Sequence, residues 1–194
     1  MATAEKLLNL EEYLAWEKAQ TERYEYVAGS IYAMVGMSDE HNQLSTNLVT
    51  ACATALKPPC RVRTEGLKVQ IGATFLYPDA MILCSPPLFF NARRDTILNP
   101  TVIFEVLSES TEAFDRGEKF RRYRSLPGLK AIIFVSQDRI LVECWSRKDD
   151  AWQAQEWETI SEIMEIEALG LQVPLAQIYE GLEFLNQSDE HPLS

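Results

Sequence analysis

The stretch Thr101-Val102-Ile103-Phe104-Glu105-Val106-Leu107, read together with Pro78-Asp79, decides how this chain folds. Val102, Ile103, Phe104, Val106 and Leu107 form a continuous apolar run of strand length, which marks a strand buried on both faces. Glu105 interrupts it. A carboxylate loses much hydration free energy on burial and is rarely found fully buried without a partner. Asp79 poses the same problem at the start of Asp79–Leu83, a second apolar run. Alternation puts Asp79, Met81 and Leu83 on one face of their strand, and Thr101, Ile103, Glu105 and Leu107 on one face of theirs. If the strands are neighbours, the two carboxylates converge. With a main-chain carbonyl such as that of Val106, they make an oxygen-rich partial shell of the kind magnesium takes. The competing reading is structural: Asp79 caps a turn after Pro78, and Glu105 pairs with an arginine.

Outward from these strands the chain reads as alternating helices and strands. Asn9 caps a helix from Leu10 to about Gln20. Strands at 23–27 and 30–34 flank a turn at Ala28-Gly29, and Ser38 caps a helix from about Asp39 to Leu56 that ends before Pro58-Pro59. Strands follow at Cys60–Thr64, Leu67–Ile71, Asp79–Leu83 and Val102–Leu107, with a long proline-bearing loop from Ser85 to Pro100. A basic helix runs from about Asp115 to Ser125. Strands are expected at Lys130–Val135, Arg139–Trp145 and Trp152–Glu158, and a short helix at Val173–Tyr179. The order predicts an α/β (α+β) fold with one mixed β-sheet flanked by helices. Its 194 residues suit a single domain over 1–185 followed by a polar tail at 186–194.

Composition narrows the function. No apolar run is long enough for a membrane span. The N-terminus lacks the pattern of a signal peptide, and Cys52, Cys60, Cys84 and Cys144 are scattered without a CxxC pair. These features predict a cytoplasmic protein with free thiols and no zinc site. Two histidines, His41 and His191, leave little for a histidine-based centre. The net charge of −11 opposes non-specific nucleic-acid binding. Even so, Arg116, Lys119, Arg121, Arg122 and Arg124 gather in mid-chain, where they either track a nucleic-acid backbone or form a solvated helix face.

The motif Glu105-Val106-Leu107-Ser108-Glu109-Ser110-Thr111, then Asp115-Arg116-Gly117-Glu118-Lys119-Phe120 and Tyr123, closely resembles the signature of the Uma2 family of putative restriction endonucleases, also called domain of unknown function 820. Arg23-Tyr24-Glu25-Tyr26-Val27-Ala28-Gly29, His41-Asn42 and Tyr77-Pro78-Asp79 resemble further motifs of that family, so the likeness runs from about Leu10 to about Leu182. It implies a PD-(D/E)XK nuclease fold and a Mg²⁺-dependent (or Mn²⁺-dependent) endonuclease that hydrolyses DNA by metal-activated water. Asp79 would be the motif's aspartate and Glu105 its second acid, with Asp79, Glu105 and the Val106 carbonyl at the metal. The motif's usual lysine is absent, because Leu107 stands in its place. Lys119 is the substitute that the resemblance suggests, on one helix face with Asp115, although a surface pair at that spacing would be worth little. Glu25, His41, Lys68 and Asp115 are additional candidates for the site, and Arg116, Arg121 and Arg122 for contacts to nucleic acid. A homodimer would suit cleavage of two strands; Trp145, Trp152 and Trp157 supply either its interface or the core. The alternative is a non-catalytic nucleic-acid-binding or assembly module that keeps the nuclease fold.

Overall fold

The computed structural model describes residues 7–184 apart from Val35 and Glu65, so the expected polar tail lies outside the described residues. Helix α1 (Leu10–Glu17) starts at a reciprocal capping box. Asn9 accepts from the Glu12 N–H at 3.0 Å, and Glu12 accepts from the Asn9 N–H at 2.8 Å. Strands β1 (Tyr24–Val27) and β2 (Ser30–Ala33) form a hairpin whose turn residues, Ala28 and Gly29, both have positive φ. Helix α2 (Asp39–Ala55) is capped by Ser38, whose hydroxyl accepts from the His41 N–H. Leu44, Leu48, Ala51 and Cys52 are the stripe it buries.

The central sheet has six strands in the order β11-β10-β9-β8-β6-β3. They are β3 (Arg61–Thr64), β6 (Ala80–Leu83), β8 (Val102–Leu107), β9 (Ala131–Ser136), β10 (Val142–Lys148) and β11 (Ala151–Trp157). Only β8 and β9 run parallel within it, and the other neighbours are antiparallel. A parallel pair needs a crossover. Here it is a helical segment made of α3 (Glu112–Phe114), a π-helical turn (Asp115–Lys119) and α4 (Phe120–Tyr123). A second sheet, β2-β1-β5-β4-β7, contains β4 (Lys68–Ile71), β5 (Thr74–Leu76) and β7 (Thr96–Ile97). A hairpin of β12 (Ile163–Ile166) and β13 (Leu171–Pro174) leads into α5 (Leu175–Ile178).

Both faces of the central sheet are covered. On one, Ala80, Ile82, Phe104 and Val106 pack with α2, the β12–β13 hairpin and α5. On the other, Met81, Leu83, Ile103 and Leu107 pack with β4, β5, β7 and Tyr123 of α4. Every residue of β8 is therefore buried, which is why its sequence does not alternate.

The structure corrects several expectations. The loop expected over 85–100 contains β7, which pairs in parallel with β4, and the Asn99 side chain ties down Leu88 and Pro86. Strands β5, β12 and β13 were not legible in the sequence, and Val173 belongs to β13 rather than to the last helix. The mid-chain helix begins at Glu112, three residues earlier than expected. Cys60 and Cys84 are joined in a disulfide, not free. The antiparallel register Arg61↔Leu83, continued by one residue, sets Cys60 opposite Cys84. Cys52 and Cys144 are the buried free thiols. Trp157 is buried and Trp145 and Trp152 pack partly against the core. No helix among the described residues is long and apolar enough to cross a membrane.

Phe104 is fully buried in the middle of β8. Phe104→Ala is expected to cost about 3–5 kcal/mol, measured as a lower midpoint in urea with an unchanged slope.

Candidate active site

The two acids meet where the β6–β8 ladder ends. Its last pair is Ala80↔Phe104. Continued by one residue, the register sets Asp79 opposite Glu105; continued by two, it sets Pro78 opposite Val106. Proline has no N–H to give to the strand across from it. The Asp79 carboxylate takes over the ladder position: its Oδ2 accepts from the Val106 N–H at 2.7 Å. In a strand the N–H and C=O of one residue leave on the same side. The Val106 carbonyl therefore points to the β6 side, opposite a residue that cannot donate. The other Asp79 oxygen, Oδ1, is 3.1 Å from His41 Nε2, brought in by the first turn of α2.

Glu105 lies on the face covered by the helical crossover. Its Oε1 accepts from the Tyr123 hydroxyl at 2.6 Å, and its Oε2 accepts from Lys119 Nζ at 3.3 Å. Lys119 also lies 3.1 Å from a Glu25 oxygen and 3.1 Å from an Asp115 oxygen. Glu25 on β1 accepts in addition from the Tyr77 N–H at 2.9 Å. The π-helical turn has a local function here. Asp115 and Lys119 are at its ends, and both point inward and are buried, so they are not a surface ion pair. Single π turns inside helices often occur at functional sites.

Electrostatics bind these groups together. Burial pushes the Glu105 carboxyl well above its usual range; Lys119 opposes that shift, while Asp115, Asp79 and Glu25 add to it. Burial pulls the Lys119 ammonium down, but Asp115, Glu105 and Glu25 outweigh it and hold the group well above its usual value. Burial likewise raises Tyr123, next to Glu105, so its hydroxyl keeps its proton and donates. Four carboxylates, Glu25, Asp79, Glu105 and Asp115, face one lysine and one histidine around a cavity of about 100 Å³. Negative charge is in excess.

The other expected residues are placed elsewhere. Lys68 is buried but grips Glu17 of α1 at 2.6 Å and does not line the cavity. Arg116 is held by Glu112 and Glu143, and it stacks over Phe134. Arg121 and Arg122 both bind Glu118. Acids therefore already pair with these three arginines of the basic helix face. Several cavity residues had no signal in the sequence: Tyr32, Met34 and Met37 before α2, and Phe114 at the start of the crossover; Tyr77 and Thr111 stood only inside the longer motifs. Tyr123 was within reach of sequence reasoning, since it is four residues beyond Lys119 and so on the same helix face.

Comparison with known proteins shows the family and the fold. The family profile Uma2, "Putative restriction endonuclease", matches residues 10–176. The chain belongs to the Uma2 family. Two cyanobacterial proteins from Synechocystis, both described as uncharacterized, are similar across most of their length. The protein slr1290 is 38% identical over 91% of this chain and 94% of its own, and sll1609 is 31% identical over 84% and 93%. The crystal structure of a putative nuclease of DUF820 from Anabaena variabilis shares the fold, with a TM-score of 0.73 at 14% identity, covering 91% of this chain and 99% of that one.

Removing Lys119 would leave three buried carboxylates facing one another. Lys119→Met is expected to destabilise the protein by about 3–5 kcal/mol, and Lys119→Met combined with Glu105→Gln to recover part of that loss. Chemical denaturation of wild type, Glu105→Gln, Lys119→Met and the double variant closes the cycle.

Proposed function

We propose that this chain is a metal-dependent endonuclease that hydrolyses phosphodiester bonds in DNA. The observation that carries the reading is the pairing of Asp79 and Glu105 at the point where Pro78 ends the ladder opposite Val106. The described residues hold no cluster of three or more histidines, cysteines or acids that could hold a metal ion. That does not conflict with Mg²⁺, or with Mn²⁺ in its place. Magnesium is usually held by one or two carboxylates and completes its octahedron with waters and substrate phosphate oxygens. Asp79, Glu105 and the Val106 carbonyl form such a donor set, and the excess of buried negative charge favours a divalent cation over an empty pocket.

When bound, the cation would stabilise charge on the phosphate and make water a stronger nucleophile. The chain's own residues have separate tasks. Tyr123 and Lys119 hold Glu105 in one rotamer, and the Val106 N–H and His41 hold Asp79. Lys119, fixed among Glu25, Asp115 and Glu105, orients the attacking water and offsets phosphate charge. Those carboxylates favour its charged form, which suits it to that electrostatic task.

One observation favours the second reading, a non-catalytic module that keeps the nuclease fold: each oxygen of Asp79 and Glu105 already has a donor. Two measurements separate the readings. A nuclease is expected to nick or cut DNA with Mg²⁺ or Mn²⁺, with a loss of at least about a hundredfold in Asp79→Asn and Glu105→Gln, the magnitude that electrostatic groups at a reacting centre supply. Millimolar Mn²⁺ is expected to raise the melting temperature of the wild type and not of Asp79→Asn. Absence of both effects leaves the module.

A further inference from the structure

Beside the candidate site is a second cavity that the chemistry above does not use. It measures about 270 Å³ and lies along α2 and the end of edge strand β3. Asp79 and Met37 line both cavities, so the two adjoin at these residues. The rest of its lining is largely neutral and polar: Asn42, Ser45, Thr46 and Thr50 from one face of α2, and Thr64 from β3. Among the described residues, no lysine or arginine lines it. Among the same residues, the Ser45 hydroxyl oxygen is shielded from solvent and has no hydrogen-bond partner. A buried polar atom in that condition costs free energy until something pairs with it.

We infer that this groove binds an unpaired nucleotide of single-stranded DNA next to the scissile phosphate. The inference rests on the nuclease reading and adds the form of the substrate. A phosphate-binding groove would be lined with positive charge. Carboxamide and hydroxyl groups instead match the mixed donors and acceptors of a base edge or sugar. In a duplex the Watson–Crick edges are paired, and a pocket of this size reaches them at no unpairing cost on a strand whose bases are already free. The arginines point the same way. Glu112, Glu118 and Glu143 pair with Arg116, Arg121 and Arg122, so these three arginines are not free to track a duplex backbone. Tyr32 and Phe114, with ring centroids 4.9 Å apart, line the adjoining site cavity and offer a surface on which a neighbouring free base can stack.

The test is fluorescence anisotropy on the full chain in Ca²⁺, with a labelled DNA single strand and the blunt duplex of the same sequence. Thr46→Trp and Thr50→Trp fill the groove from exposed positions, and Ala53→Trp, exposed on α2 outside it, is the control. Circular dichroism checks that each variant is folded. The wild type and Ala53→Trp are expected to bind the single strand about tenfold more tightly than the duplex, the size of effect that base-edge contacts give. Thr46→Trp and Thr50→Trp should lose that preference. Equal binding of both DNAs, no binding of either, or groove variants indistinguishable from wild type would overturn the inference. A parallel cleavage assay in Mg²⁺ and Mn²⁺ keeps the two readings apart. Cutting of duplex without single-strand preference removes the groove and leaves the nuclease. A single-strand preference that the groove variants abolish, with no cleavage of any substrate, does the reverse.

Discussion

The structure around the candidate site depends on one ammonium group. Lys119 Nζ lies within 3.3 Å of carboxylate oxygens from β1, β8 and its own helical turn. Without it, Glu25, Glu105 and Asp115 would be three like charges buried together, each with a desolvation penalty of several kcal/mol. With it, the second sheet, the central sheet and the crossover are joined at one point. The same contacts restrain the side chains of the acids, so the group that makes their burial tolerable also orders them.

The arrangement leaves the charge unbalanced. One lysine and one histidine do not offset four carboxylates. Glu105 shows the consequence, its carboxyl driven upward by burial and by its acidic neighbours. A protein built only for stability would gain from an apolar replacement at such a position. The persistence of the acids in a buried pocket, next to a backbone carbonyl left without a ladder donor, is what a cation-binding function would explain. The acid–arginine pairs on the crossover do the opposite for the protein's outer charge. They offset three arginines of the basic cluster, and a net charge of −11 opposes long-range attraction for a phosphate polymer.

Much of this was legible in the sequence because the signals were local. Asn9, Ser38 and the Ala28-Gly29 turn set element boundaries through capping and turn chemistry, which act within three or four residues. The awkward acids Asp79 and Glu105 stood out because each interrupts or opens an apolar run. Local signals failed where pairing partners were distant. Strand β7 is two residues long and exists only because β4 lies beside it, and β12 and β13 alternate too briefly to be distinguished from loop. Lys68 looks like any exposed lysine until α1 folds back and presents Glu17.

The sequence by itself determined the fold class, the two buried strands and their misfit acids, and a motif order that belongs to the Uma2 family. Tertiary structure decided the rest. It set Pro78 opposite Val106, brought His41 and Glu25 to the acids from separate elements, and turned Asp115 and Lys119 inward through a π-helical turn. It also gave the three arginines acidic partners, two of them from one glutamate. The physical reason is range. Caps, turns and periodicity are fixed by neighbours along the chain, whereas charge balance and register are properties of groups that meet only after the sheets have packed.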